Sequence, residues 1–273
     1  MYQLLLINIL LGMVLAAVGA HPKFCNLNLV KSLKIGFLSG ILGYTANLAL
    51  LYKESFSLFA PILGIASTTL AGFFIVLWVF FRDPKRTPPE DLDAIVSPAD
   101  GKIVYIREVQ KGVIPCMIKG KKNIKLNEIA KTDLLTDVYG YIIGITMTIL
   151  DVHVTRSPME GKIIFLKSYG GDLFSAKSWK TEVENPRTSI ILKNERLKLG
   201  IIEIGTPYIS KILSFFNLDD FVGKGQRIGK ITWGSQVDVI IPSKYVTLLV
   251  KEGDSVRAGE TTLAKFKSKG GEL

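Results

Sequence analysis

Residues Ser97-Pro98-Ala99-Asp100-Gly101-Lys102-Ile103 return further along the chain as Ser157-Pro158-Met159-Glu160-Gly161-Lys162-Ile163. In both copies Pro fixes one φ, Gly permits another, and an apolar run follows, which is how a turn delivers the chain into a β-strand. A second echo pairs Val222-Gly223-Lys224-Gly225-Gln226-Arg227-Ile228-Gly229 with Val250-Lys251-Glu252-Gly253-Asp254-Ser255-Val256-Arg257-Ala258-Gly259. Two similar β-hairpin units around a shared core would leave such a record. Two ordinary turns of the same chemistry would leave it as well.

Outward from these echoes lie short apolar runs broken by Gly, Pro and Asp: Ile103–Ile106, Ile142–Ile149, Lys162–Ser168, Ser189–Leu192, Leu199–Ile204, Arg227–Thr232, Val237–Ile241 and Tyr245–Val250. Their spacing predicts a mainly β domain, a sandwich or barrel, over residues 95–273. Few helices are expected there, the better candidates being Lys125–Leu135 and Lys211–Asp220.

The chain ahead of this domain has a different composition. Three long apolar runs, Leu4–Ala20, Ile35–Leu51 and Phe59–Phe81, each approach the ~20 residues that cross a bilayer as a helix. They predict an α-helical membrane region over residues 1–81 with about three transmembrane helices. The first run ends in Ala17-Val18-Gly19-Ala20, as a signal peptide would, but no Lys or Arg precedes it. Gly36 and Gly40 in the second run have the small-residue spacing of helix packing, so that run could equally lie against the others. Lys23, Lys31 and Lys34 follow the first run, and Arg82, Lys85 and Arg86 follow the third. Both segments are therefore expected on the cytoplasmic side, which sets the β domain at the cell membrane facing the cytoplasm. A Pro-rich linker over residues 82–94 separates the two regions.

Composition agrees with this division. The 273 residues carry a formal charge of +10, with 48% hydrophobic and 21% charged residues, too apolar for disorder or for an ordinary soluble domain. Residues 1–81 hold Lys23, Lys31, Lys34 and Lys53 against Glu54, a net +3, which leaves +7 for the remainder. Cys25 and Cys116 lie far apart without a C-x-x-C spacing, and His21 and His153 are the two histidines. Zinc ribbons, redox motifs, disulfide frameworks and His-rich metal sites are excluded, and no metal is expected. The basic run Lys119-Gly120-Lys121-Lys122-Asn123-Ile124-Lys125 lacks interleaved aromatic residues, which disfavours nucleic acid and fits a solvated loop or anionic lipid head groups.

Three places carry candidate chemistry. In Asp151-Val152-His153-Val154-Thr155-Arg156, strand alternation sets a carboxylate and an imidazole on one face. His153 can act as a structural hydrogen-bonding group or, at a strand end amid charges, as an acid or base. Asp100 precedes Gly101 and reads either as a turn residue or as a general base. Gly234-Ser235 joins two β runs in Ile231-Thr232-Trp233-Gly234-Ser235-Gln236-Val237-Asp238, without the G-x-S-x-G surroundings of a hydrolase nucleophile. By itself it is a loop dipeptide.

Taken in order, Phe81-Arg82-Asp83-Pro84, Ser97-Pro98-Ala99-Asp100-Gly101, the block from Asp151-Val152-His153-Val154 to Gly161, and Trp233-Gly234-Ser235 before a strand resemble the phosphatidylserine decarboxylase family. The likeness is strongest to its short branch, which includes archaetidylserine decarboxylase proenzymes. The resemblance implies a proenzyme that cuts itself between Gly234 and Ser235 into chains 1–234 and 235–273, which stay together as a heterodimer and could dimerise further. The Ser235 hydroxyl would attack the Gly234 carbonyl to give an ester. Elimination and hydrolysis would then leave a covalent pyruvoyl group at Ser235, the cofactor that forms a Schiff base with the substrate amine and accepts electrons as CO2 leaves. By the same resemblance Asp100 and Asp151 support self-cleavage, and His153 assists decarboxylation. Many family members have a second His three residues after the first, where this chain has Arg156.

The substrate implied is an aminophospholipid, phosphatidylserine or archaetidylserine, converted to the ethanolamine phospholipid. The segment Glu252–Glu260 is similar to the hairpin of biotinyl and lipoyl carrier domains without their carrier lysine. The fold expected is thus barrel-sandwich-hybrid-like. Other readings of the same residues are a pyruvoyl decarboxylase of a soluble amino acid, a non-catalytic membrane-tethered β domain that binds lipid or a partner protein, and an uncleaved homologue.

Overall fold

The computed structural model describes residues 2–20, 29–51, 60–111, 113–114, 124–132, 135, 139–171, 185–205, 211–232, 235–242, 244 and 246–267. Cys25, Cys116, His21, Lys119 to Asn123, Trp233 and Gly234 lie outside them. The chain forms two compact units. One comprises Met1–Arg82 with the turn Thr148–Asp151, and the other comprises Asp83–Met147 with Val152–Leu273.

The first unit contains helices α1 (Tyr2–Ala20), α2 (Leu29–Leu51) and α3 (Ala60–Phe81). Gly12 of α1 and Gly36 of α2 let these helices touch backbone to backbone, since a Cβ on either would strike the carbonyl oxygen of the other. The buried Thr68 hydroxyl on α3 donates to Asn8 Oδ1 on α1 at 2.7 Å, so the buried polar groups answer one another. The apolar runs do form helices. Among the described residues, however, no helix is long and apolar enough to cross a membrane.

The second unit is mainly β. Its elements are β1 (Ala94–Val96), β2 (Gly101–Val109), β3 (Val113–Ile114), β4 (Ile124–Lys125), α4 (Leu126–Ala130), β5 (Gly140–Met147), β6 (Val154–Arg156), β7 (Gly161–Tyr169), β8 (Arg187–Lys193) and β9 (Lys198–Gly205). They continue with β10 (Lys211–Ser214), β11 (Phe221–Val222), β12 (Arg227–Thr232), β13 (Ser235–Pro242), β14 (Val246–Leu248), β15 (Ser255–Val256) and β16 (Thr262–Phe266). An eight-stranded antiparallel sheet has the order β11-β7-β8-β9-β13-β5-β2-β15. Two three-stranded sheets, β10-β12-β6 and β1-β16-β14, accompany it, with the β3-β4 ribbon.

The central strands are covered on both faces, which is why they read as continuous apolar runs rather than alternating ones. Ile143, Ile145, Ile201, Val237 and Val239 share one core with Ile95, Ile228, Ile231 and Leu263 from the small sheets. Ile142, Ile202, Ile204 and Ile240 face the other way, against Tyr105, Val109 and Ile129.

The internal echoes correspond to two related halves. Ser97 Oγ donates to Ala99 O at 2.7 Å and Ser157 Oγ to Met159 O at 2.6 Å, so both Ser-Pro segments make the same turn before β2 and β7. They also meet: Val96 N donates to Pro158 O at 2.9 Å and Arg156 N to Pro98 O at 2.8 Å. In each half the chain crosses from the large sheet to a small one, β11 to β12 in one and β15 to β16 in the other. The register corrects the second echo. Val222 lies opposite Gly161 and Val256 opposite Gly101, so Val222-Gly223-Lys224-Gly225 corresponds to Val256-Arg257-Ala258-Gly259, not to the segment beginning at Val250. A match on Gly spacing alone slipped from one turn of the hairpin to the next.

Two helical expectations also need correction. Lys211–Asp220 starts as strand β10, paired with β12 from Lys211 opposite Thr232 to Ser214 opposite Gly229. Beyond it, Asp219 takes a φ of 74° and Asn217 N donates to Asp220 Oδ2, a turn that no helix could continue through. In Lys125–Leu135 the helix is only Leu126–Ala130, because Lys131 turns left-handed at a φ of 53°.

Candidate active site

Ser235 is the first residue of β13, a central strand bonded on both sides. Its register partners are Met147 on β5 and Gly205 on β9. The residue directly across on β9 thus has no side chain. Strand β12 of a small sheet ends at Thr232, and β13 of the large sheet begins at Ser235.

His153 approaches from β6. Its carbonyl accepts from Ile231 N at 3.0 Å, extending the β6–β12 pairing, and its side chain is buried at 1% exposure. Ile231 precedes Ser235 by four residues, so His153 and Ser235 belong to one end of the β12–β13 connection.

The other residues named from the sequence are engaged elsewhere. Asp100 is buried and saturated: its Oδ1 accepts from Ala258 N at 2.7 Å, and both its oxygens accept from Arg86 Nη2, at 3.2 and 2.9 Å. Gly101, which follows it, abuts the carbonyl of Thr146 on β5. Asp100 therefore stands two strand spacings from β13, roughly 10 Å, with its carboxylate held by other groups. Asp151 belongs to the helical unit. Its Oδ2 accepts from Thr148 N and Thr148 Oγ1, both at 2.8 Å, and its Oδ1 pairs with Lys31 Nζ at 2.9 Å. Burial works against its charged form, but the Thr148 hydrogen bonds and the Lys31 ammonium outweigh it and hold the carboxyl below the usual carboxylate range. Arg156 is structural. Nη1 donates to Gly225 O at 3.1 Å, and Nη2 donates to Asp83 Oδ1 and Pro84 O, both at 3.0 Å.

One residue was not singled out in the sequence. Glu203 on β9 is fully buried, and its Oε1 accepts from Thr155 Oγ1 at 2.5 Å. Burial pushes its carboxyl up to about 7, with the Thr155 hydrogen bond acting in the opposite direction. The signal was present, as a lone acid inside the apolar run Leu199-Gly200-Ile201-Ile202-Glu203-Ile204.

The strand-initial serine, the buried histidine and the buried acid all fall within the stretch that matches known proteins. The family model for phosphatidylserine decarboxylase matches residues 73–264. A putative archaetidylserine decarboxylase proenzyme of Methanothermobacter thermautotrophicus is 32% identical over 210 residues, covering 75% of this chain and 85% of the relative. Phosphatidylserine decarboxylase proenzymes of Chlorobium limicola and Erythrobacter litoralis are 30% and 36% identical, covering 81% and 72% of this chain and 94% and 75% of the relatives. These are lyases, enzymes that break a carbon–carbon bond to release CO2. The chain belongs to the phosphatidylserine decarboxylase family.

Proposed function

We propose that the chain is a self-processing decarboxylase of an aminophospholipid, phosphatidylserine or archaetidylserine, working through a pyruvoyl group made from Ser235. The observation that carries this reading is the position of Ser235 at the head of a strand paired on both sides. A cut between Gly234 and Ser235 frees one end of β13 without removing the strand from its sheet. The segment 235–273 remains bound through β13 to β5 and β9, through β15 to β2, and through β16 to β1. The two chains stay together as a heterodimer.

The pyruvoyl carbonyl supplies the electron sink that no side chain offers. The chain's own residues do the rest. The substrate amine reacts at position 235, opposite Gly205, and His153 gives a proton to the carbon that has lost CO2. Asp100 and Asp151 support self-cleavage by fixing, through their ion pairs, the turn that starts β2 and the turn that precedes His153.

The helical unit anchors the enzyme beside its substrate. Leu6, Ile7, Leu10 and Val14 on α1 and Phe73, Phe74 and Trp78 on α3 are all more than half exposed, reaching 74% at Trp78, a surface suited to acyl chains rather than water. The basic residues flanking the apolar runs support a cytoplasmic placement of the β unit.

Intact mass measurement of the purified full chain, beside a Ser235→Ala control, tests the reading. Two fragments divided at 234/235 are expected, the smaller blocked at its N-terminus and both absent from the control. Release of CO2 from serine-headed lipid vesicles should accompany them. A single uncut chain from a folded preparation would overturn the proposal.

A further inference from the structure

Glu203 is a buried acid of the β unit that no ion pair neutralises among the described residues. It lies in the middle of β9 at 0% exposure, and its Oε2 is buried without a hydrogen-bond partner among the described residues. A buried carboxyl so poorly satisfied costs stability, and an apolar residue would cost none. Its position indicates what the acid does. Glu203 is the register partner of Val237, and Gly205 is the partner of Ser235. Residues two apart on a strand share a face, so Glu203 lies on the face of Ser235, at the diagonal position that a long side chain reaches.

The opposing layer meets this carboxyl with small groups. Thr155 holds Oε1, and Gly229 on β12 presents no side chain, its Cβ position lying 3.2 Å from Oε1. The charged and titratable groups on the surrounding elements are few. On β6, alternation puts His153 on the side of Thr155 and Arg156 on the other. On β12, Lys230 alternates away from Gly229, and Arg227 is bound to Asp83. Arg187 on β8 and Asp238 on β13 occupy the opposite face, as partners of Ile204 and Ile202. Among the described residues, His153 is thus the one titratable neighbour on the same side. The carboxylates named from the sequence are unsuited to taking a proton here, since Arg86 and Ala258 hold Asp100 and Lys31 and Thr148 hold Asp151.

We propose that Glu203 is the general base of maturation. Its carboxylate takes the hydroxyl proton of Ser235 as Oγ bonds to the Gly234 carbonyl carbon, and it returns that proton to the Ser235 nitrogen as the Gly234–Ser235 C–N bond breaks. The product is an ester with a free amine, the proton count is unchanged, and no other reactant is needed. A carboxyl raised to about 7 exchanges protons readily near neutral pH. The proposal rests on the self-cleavage reading above.

The test is a time course of cleavage. Full-length wild type, Ser235→Ala, Glu203→Gln and Thr155→Val are made by cell-free synthesis into lipid nanodiscs, held at values from about pH 5.5 to about pH 8.5, quenched, and resolved by mass. The wild-type rate should rise with pH and level off above about 7. Glu203→Gln should cut on the order of 100-fold more slowly, without that rise. Thr155→Val removes the bond that favours the carboxylate, so its midpoint should move to higher pH. If Glu203→Gln does not fold, this shift carries the test, because a purely structural acid would not produce it. A Glu203→Gln chain that cuts at the wild-type rate, or a Thr155→Val midpoint that does not move, overturns the role of Glu203 while leaving self-cleavage intact. A wild-type chain that never cuts removes both.

Discussion

Arg86 grips Asp100 through both carboxylate oxygens, at 3.2 and 2.9 Å, and reaches Glu260 with its other terminal nitrogen at 2.8 Å. Asp100 precedes the proposed cut and Glu260 follows it, so one guanidinium joins the two chains that maturation would produce. Asp100 also accepts from Ala258 N in that later segment. The acid that the sequence offered as a turn residue or a base is therefore part of a clamp, with donors on both of its oxygens.

Removing the clamp should be costly. Arg86 and Asp100 have side chains 9% and 10% exposed, and breaking a buried pair from one side leaves an uncompensated charge worth about 3–5 kcal/mol. Arg86→Met is expected to lower the stability of the full chain by about that amount in chemical denaturation. Asp100→Asn keeps an oxygen acceptor for Ala258 N and should cost less, about 1–2 kcal/mol. Equal losses from the two variants would mean that the charge contributes nothing.

Asp151 governs part of the acid limb. Its folded-state carboxyl lies below the ordinary value of 3.8, so its contribution is complete above that value and disappears as pH falls through the lower folded one. Asp151→Asn should flatten stability against pH below about pH 4 while leaving the neutral region nearly unchanged. Thermal unfolding at stepped acid pH measures this, and a variant curve parallel to wild type would contradict it.

How far the sequence could be read depended on what each residue was doing. Strands such as β9 and β13 were visible because burial on both faces makes them uniformly apolar, and the Ser-Pro-x-x-Gly turns were visible because Pro and Gly are constrained in a few ways only. The segment Lys211–Asp220 was misread, since Ile212, Phe215 and Phe216 fit a helical spacing as well as a strand and only pairing with β12 decides between them. The partners of Asp100 and Asp151 were out of reach because Arg86, Ala258 and Lys31 are distant in sequence and local chemistry gives no hint of them. Glu203 was legible as an anomaly, but its significance appears only when β9 is set beside Ser235.

Glu203 should make stability fall as pH rises. Its carboxyl ionises near 4.5 when unfolded and at about 7 when folded, so between these values the unfolded chain has released a proton that the folded one keeps. Stability is then lost across that window, by roughly 3–4 kcal/mol if each pKa unit is worth about 1.4 kcal/mol, and is flat above it. Glu203→Gln should abolish the slope. Denaturation midpoints of the Ser235→Ala chain, with and without Glu203→Gln, would show it without interference from cleavage.

The relation between the two halves makes a paired prediction. Gly225 and Gly259 each have a φ of +75° and occupy the third position after Val222 and Val256, the valines that meet Gly161 and Gly101. Alanine at either site must enter a left-handed conformation at about 1–2 kcal/mol. The surroundings then separate them. A Cβ at 259 lies 2.9 Å from Arg156 Cδ, the flexible stem of a long side chain, whereas one at 225 lies 2.6 Å from the ring carbon Pro88 Cγ. Gly259→Ala should therefore lose little more than the backbone cost, and Gly225→Ala should lose distinctly more, because a Pro ring cannot rotate aside. Denaturation of the two variants gives the ranking, and the reverse order would show that Arg156, bound to Gly225, Asp83 and Pro84, is the more rigid neighbour.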